Sequence, residues 1–151
     1  MTVDTALRGE DGEICVYSRI EMCALDLASQ KIKRIRDVGV GSDTHVEEPY
    51  RDIEFSRMRH EGLETVDTIK VNSGDIDFIR HTNNVFYVRF IMDTYTVDEL
   101  REHPVKEIDI RYAVQTHEGD ILTVRKAVSD CKELFDVTLG DTVAVECEIV
   151  R

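Results

Sequence analysis

Only one stretch of the chain, residues 83–100, repeats its apolar positions at helical spacing. Val85, Val88, Ile91 and Met92, with Tyr95 beyond, recur three or four positions apart. Arg89 is the one charge between Val85 and Met92, and a helix apolar on most sides is one that other elements enclose. Asn83 or Asn84 can cap its start, and His103-Pro104 ends it. Nearly every other patterned segment alternates with period two, so the fold must accommodate a single helix among several strands.

Ile14, Val16, Ile20, Met22 and Ala24 share one side of an alternating run over residues 13–27, which predicts a long strand. Ala28-Ser29-Gln30 reads as a turn, and residues 31–36 alternate basic and apolar side chains, so the two segments predict a hairpin arm over residues 1–37. Residues 38–62 turn polar, lose periodicity and read as a linker. Strand character returns at residues 65–71 and stops at Asn72-Ser73-Gly74. After the helix, Ile108, Ile110, Tyr112 and Val114 alternate. Beyond a turn at residues 117–120, Leu122, Val124 and Val128 continue as an antiparallel strand. Residues 135–139 form a short apolar stretch, and Val143, Val145, Cys147 and Ile149 close the chain. Strand, helix, then several strands predicts an α+β fold in which an antiparallel sheet wraps one central helix, the hotdog arrangement, over residues 63–151. Such a lone unit leaves a sheet edge open, and edge-to-edge homodimerisation is expected by analogy with the hotdog superfamily.

A length of 151 residues suits one domain with an arm. Nineteen Lys and Arg against 31 Asp and Glu give a net charge of −12, a field that repels nucleic-acid backbones and anionic membrane surfaces. Nothing resembles a membrane span or a signal peptide. Cys15, Cys23, Cys131 and Cys147 form no C-x-x-C pair and sit in apolar-patterned segments, so buried, reduced thiols in a cytoplasmic protein are expected.

The strand-to-helix junction, residues 74–88, is dense in polar groups. A helix start offers unpaired N–H groups that can hold a carbonyl oxygen as it becomes an oxyanion, here from Thr82, Asn83 and Asn84. Asp77 beside it could activate water or attack as a nucleophile, and His81 could carry the proton. Each residue also has a plainer role: Asn83 and Asn84 as caps, His81 as a loop hydrogen-bonder, and Phe86, Tyr87 and Phe90 as core. Asp75 and Asp77 would share a strand face but supply too few oxygens for a hard cation, so no metal or cofactor is implied. His45, Glu47, Glu48, His60 and Glu61 match no zinc spacing and read as a solvated loop.

Residues 77–87 read D-F-I-R-H-T-N-N-V-F-Y. This resembles the acyl-acyl carrier protein thioesterase family, whose D-x-N-x-H-x-N-N-x-x-Y signature crosses the same junction of a hotdog domain. Asp77, His81, Asn83, Asn84 and Tyr87 match it. The likeness extends to residues 12–36, which look like the last hairpin of the family's first hotdog, and to residues 108–119 after the helix. It implies hydrolysis of fatty acyl thioesters, on acyl carrier protein or coenzyme A, in fatty acid biosynthesis, with Asp77 and His81 catalytic.

The sequence departs from the family in three places. Ile79 stands where the family has its catalytic Asn and cannot hydrogen-bond. Gln115 and Thr116 stand where it has Glu and Cys, and only the terminal hairpin of the first hotdog is present. Ile79, Tyr87, Gln115 and Thr116 are expected to line the substrate. Lys31, Lys33, Arg34 and Arg36 form the one basic stripe, either a solvated strand face or a docking patch for an acidic carrier. The alternative to an active hydrolase is an impaired acyl- or carrier-binding subunit, or a truncated thioesterase needing a partner hotdog.

Overall fold

The computed structural model describes residues 2–26, 28–29, 31–34, 37–39, 53, 55, 58–129 and 132–151. The chain divides into two compact units, Met1–Ser56 and Arg57–Arg151.

In the first unit, β1 (Thr2–Arg8) pairs antiparallel with β2 (Ile14–Glu21). The turn between them closes through Gly12, whose φ of 85° is easy only for glycine. An ion pair at 2.8 Å joins Asp4 to Arg19 across the strands. The expected long strand over residues 13–27 instead breaks after Glu21. Only β3 (Ala24–Leu25) pairs with β4 (Ile32–Lys33) as the expected hairpin partner. The hairpin that dominates uses Thr2–Arg8, whose sparse apolar residues give little alternating signal. Cys15 and Cys23 are exposed, contrary to the expectation of buried thiols, whereas Cys147 is buried and Cys131 lies outside the described residues. Burial pushes the Cys147 thiol up to about 12, so it stays protonated and inert.

The second unit is built on five strands, β5 (Glu64–Lys70), β6 (Glu107–Tyr112), β7 (Ile121–Ser129), β8 (Lys132–Leu139) and β9 (Thr142–Val150). They form one antiparallel sheet in the order β5-β7-β8-β9-β6. Hairpins β7–β8 and β8–β9 occupy its centre, so β5 takes the open side of β7 and β6 takes the open side of β9. β6 and β7 run antiparallel, as their sequence pattern suggested, but lie on opposite sides of the sheet rather than side by side.

The expected single helix over residues 83–100 is two, α1 (Asn84–Met92) and α2 (Val97–Glu102). Thr94 turns its hydroxyl back onto the Ile91 carbonyl at 2.7 Å. Two residues later Thr96 and Glu99 form a reciprocal capping box that starts a new helix. Local side-chain hydrogen bonding thus overrides a continuous apolar period.

Tyr87, Phe90 and Ile91 project from one side of α1 into a core with Leu122 and Val124 of β7, Phe135 and Val137 of β8, and Val145, Cys147 and Ile149 of β9. Alternation along the strands is what brings these residues to a common face. Val85 faces away and is 69% exposed, so α1 is enclosed less completely than its sequence suggested. On the opposite sheet face, the side chain of His60 is buried: its Nδ1 lies 2.7 Å from Asp136 Oδ1 and its Nε2 3.7 Å from Glu148 Oε1. The reading of His60 as part of a solvated loop fails because Asp136, on a strand far along the sequence, supplies its partner. His45, Glu47 and Glu48 lie outside the described residues.

Beyond α1, the Glu133 carboxylate accepts hydrogen bonds from Tyr95 and, at 2.7 Å, from Arg151. It also pairs with Lys126 at 3.1 Å. Burial pushes the Glu133 carboxyl up, but these donors together outweigh it and hold it below the usual glutamate value. The stabilisation it contributes is present above the unfolded-state pKa and is lost as pH falls through the lower folded value. Glu133→Gln should therefore lose less melting temperature than the native chain between neutral pH and about pH 3, measured by thermal denaturation. In the core, Phe135→Ala should cost about 3–5 kcal/mol in urea unfolding, because the 0%-exposed ring leaves a cavity between sheet and helix.

Candidate active site

Residues 76–82 leave the sheet side and return in a closed loop. Ile76 and Thr82 form an antiparallel bridge across its base. Inside it, the Asp77 N–H donates to the His81 carbonyl at 2.8 Å and the Arg80 N–H to the Asp77 carbonyl at 3.0 Å. The Asp77 carboxylate completes the closure: Oδ1 accepts the N–H groups of Ile79 at 2.9 Å and His81 at 3.1 Å. An aspartate receiving amides two and four positions ahead is what the D-x-x-x-H spacing achieves locally. Its other oxygen, Oδ2, accepts no hydrogen bond from the described residues. Asp77 is partly exposed, and Phe78 at the loop tip is 96% exposed.

Loop closure draws His81 back beside Asp77. His81 Nδ1 is buried and has no hydrogen-bond partner among the described residues. Its ring meets that of His117 edge to face, with centroids 5.2 Å apart. His117 had read only as part of a turn, which it is, since its N–H donates to Asp120 Oδ2 at 2.8 Å. No signal in the sequence places the two imidazoles together, because they are 36 residues apart.

The start of α1 offers fewer free donors than expected. The Thr82 N–H is given to the Thr116 carbonyl at 2.8 Å and the Asn83 N–H to the Asp75 carbonyl at 2.9 Å. Asn83 caps the helix, its Oδ1 accepting the Val85 N–H at 3.1 Å, and the Phe86 N–H returns to the Asn83 carbonyl. Of the three amides expected to hold an oxyanion, those of Thr82 and Asn83 are spent on the fold. The Asn84 N–H alone has no acceptor among the described residues.

The expected substrate-lining residues divide in the same way. Ile79 and Gln115 are exposed. Tyr87 and Thr116 are buried and their hydroxyls lie 2.6 Å apart, so they pack into the fold instead of opening outward. Asp75 sits in a 3-10 turn (Ser73–Asp75), its carboxylate accepting the Asn72 N–H at 2.8 Å, and so does not share a strand face with Asp77. In the first unit, Lys33 is 2.5 Å from Asp26, which with the Ser29 donors lowers the Asp26 carboxyl to about 2. Lys31 and Arg34 are exposed, and Arg36 lies outside the described residues. Two surface hollows of about 440 and 500 Å³ are lined by residues of the first unit and by the β5–β7 end of the sheet, and neither touches Asp77 or His81.

Arg80 holds φ at 70°, the left-handed region in which side chains other than glycine are strained. Arg80→Gly should raise stability by about 1 kcal/mol in urea unfolding. An unchanged or lower stability would mean that the arginine side chain holds the loop in place.

A family model described as the acyl-ACP thioesterase C-terminal domain matches residues 58–149. Among solved structures, an acyl-ACP thioesterase from Bacteroides thetaiotaomicron superposes with a TM-score of 0.81 at 20% identity, covering 99% of this chain and 61% of that one. A protein from Lactobacillus plantarum described as an oleoyl thioesterase gives 0.69 at 19% identity, covering 98% and 61%. A Staphylococcus aureus protein solved in complex with CoA gives 0.50 at 22%, covering 60% and 75%. No curated protein matches the chain. It spans about three fifths of the length of the first two relatives. Likeness at these identities carries the hotdog fold, and the sequence match over residues 58–149 carries the kinship: the chain belongs to the acyl-ACP thioesterase family, through that family's C-terminal hotdog domain.

Proposed function

We propose that the chain hydrolyses fatty acyl thioesters, carried on acyl carrier protein or on coenzyme A, within cytoplasmic fatty acid biosynthesis. The observation that carries this reading is the division of labour within the Asp77 carboxylate. Oδ1 is fixed by two amides of its own loop, leaving Oδ2 held in place and without a hydrogen-bond partner among the described residues. A carboxylate so oriented acts on water as general base, or on the acyl carbon as nucleophile, without first reorganising its surroundings. His81, drawn into the same loop, carries the proton toward the leaving thiolate. The Asn84 N–H, at the positive end of α1, stabilises the oxyanion.

The site is open in the single chain. Phe78, Ile79, Val85, Tyr112 and Val114 present apolar surface around the junction and the β6 side of the sheet. Among the described residues β6 pairs with β9 alone. A second copy pairing along β6 would cover this surface and enclose the acyl chain, so a homodimer is the form proposed to act. The first unit then corresponds to the closing hairpin of another hotdog.

A second reading is a subunit that binds acyl groups or their carrier without hydrolysing them. Ile79 in place of a hydrogen-bonding residue and the spent amides of Thr82 and Asn83 favour it. Asp77→Asn, which preserves both Oδ1 bonds, should reduce thiol release from a long-chain acyl-coenzyme A by about 10²-fold or more while leaving the melting temperature within a few degrees. Turnover unchanged in that variant would refute the role of Asp77. Thermal protection of the native chain by the acyl ligand with no thiol released would favour the binding subunit.

A further inference from the structure

We infer that Thr116 is a positioning residue for the reaction at Asp77, an inference that rests on the hydrolase reading above. Thr116 is fully buried, on the segment that follows β6, 34 residues from Thr82. Its Oγ1 lies 2.7 Å from Thr82 Oγ1 and 2.6 Å from Tyr87 Oη, and its carbonyl accepts the Thr82 N–H at 2.8 Å. One side chain therefore grips the junction on both sides of the helix start: at Thr82, next to His81, and at Tyr87, three residues into α1 beyond Asn84. Between those two anchors lies the Asn84 N–H, the one of the three junction amides without an acceptor among the described residues. A third tie reaches the same residue, as the Tyr112 hydroxyl donates to the Asn84 carbonyl at 3.2 Å.

Each of the three hydroxyls has one proton to give, and the two contacts consume two of them. The network can run in either direction along Tyr87, Thr116 and Thr82, and Thr116 is the only member that belongs to both contacts. Removing its hydroxyl breaks both at once, whereas removing that of Tyr87 or Thr82 leaves the other intact. Valine at position 116 keeps the shape and deletes the hydroxyl, while keeping the backbone carbonyl that holds Thr82. The junction then remains folded but loses the fixed orientation of its first helical turn. An oxyanion donor displaced by an ångström loses transition-state stabilisation without losing acyl-chain contacts.

The test compares Thr116→Val, Thr116→Ser and Asp77→Asn with the native chain, using a long-chain acyl-coenzyme A and detection of free thiol. Thr116→Val should lower kcat about tenfold or more with KM within twofold. Thr116→Ser, which restores the hydroxyl, should recover most of kcat. Amide hydrogen exchange should quicken in Thr116→Val from Thr82 to Tyr87 and stay unchanged in β7, β8 and β9. A native kcat in Thr116→Val, a rise in KM that accounts for the whole loss, or no recovery in Thr116→Ser would overturn the proposal. The two inferences fail differently: Asp77→Asn inactive with Thr116→Val fully active removes only the role of Thr116. A native chain without turnover removes the hydrolase reading and this inference with it, whereas Asp77→Asn as active as the native chain removes the role of Asp77 and the positioning of Thr116 toward it, but leaves the hydrolase reading standing.

Discussion

A helix that starts against a packed sheet presents backbone donors with no helical partner, and each must find an acceptor or water. How the start of α1 meets this demand organises the whole junction. The carbonyl of Thr116 takes the amide of Thr82, that of Asp75 takes the amide of Asn83, and the Asn83 side chain takes that of Val85. Those bonds fix where the helix begins and therefore which of its faces reaches the core. Tyr87, Phe90 and Ile91 meet the sheet only because residue 84 is the first helical position. The Asn84 N–H that remains is a consequence of the same accounting, as is the loop that Asp77 closes immediately before it.

Structure and chemistry therefore share residues here. Asp77 spends one oxygen on the fold and keeps one, Asn83 is wholly a cap, and Thr116 is wholly internal. Ile79 offers no side-chain hydrogen bond between Asp77 and His81, so the proposed chemistry rests on the groups that are left. The apolar surface around Phe78 and the β6 edge are the surfaces that the proposed second copy would cover.

The elements legible in the sequence were those whose pattern is local and regular. α1 announced itself through Val88, Ile91 and Met92, and β9 through the strict alternation of Val143, Val145, Cys147 and Ile149. β1 carries little strand signal because Thr and Ala fill positions that a half-buried strand usually gives to larger residues. The break after α1 was missed because a capping box at Thr96 and Glu99 competes with a period that continues through Leu100. The pairing of β6 with β9, the burial of His60 on Asp136 and the approach of His117 to His81 all join distant segments, and no local pattern encodes them. Within the site, the spacing from Asp77 to His81 was enough to place both in one loop. Which helix amides stay free was not, since that depends on Thr116, 34 residues on from Thr82.

In the proposed reaction, water activated in this loop cleaves the bond between acyl carbon and thiol sulfur. Supplying the native chain with a long-chain acyl-coenzyme A in oxygen-18 water and analysing the product by mass spectrometry tests it most directly. The expected product is a free fatty acid carrying oxygen-18, formed with an equal amount of thiol and faster than in buffer alone. Acyl-coenzyme A recovered intact would contradict it.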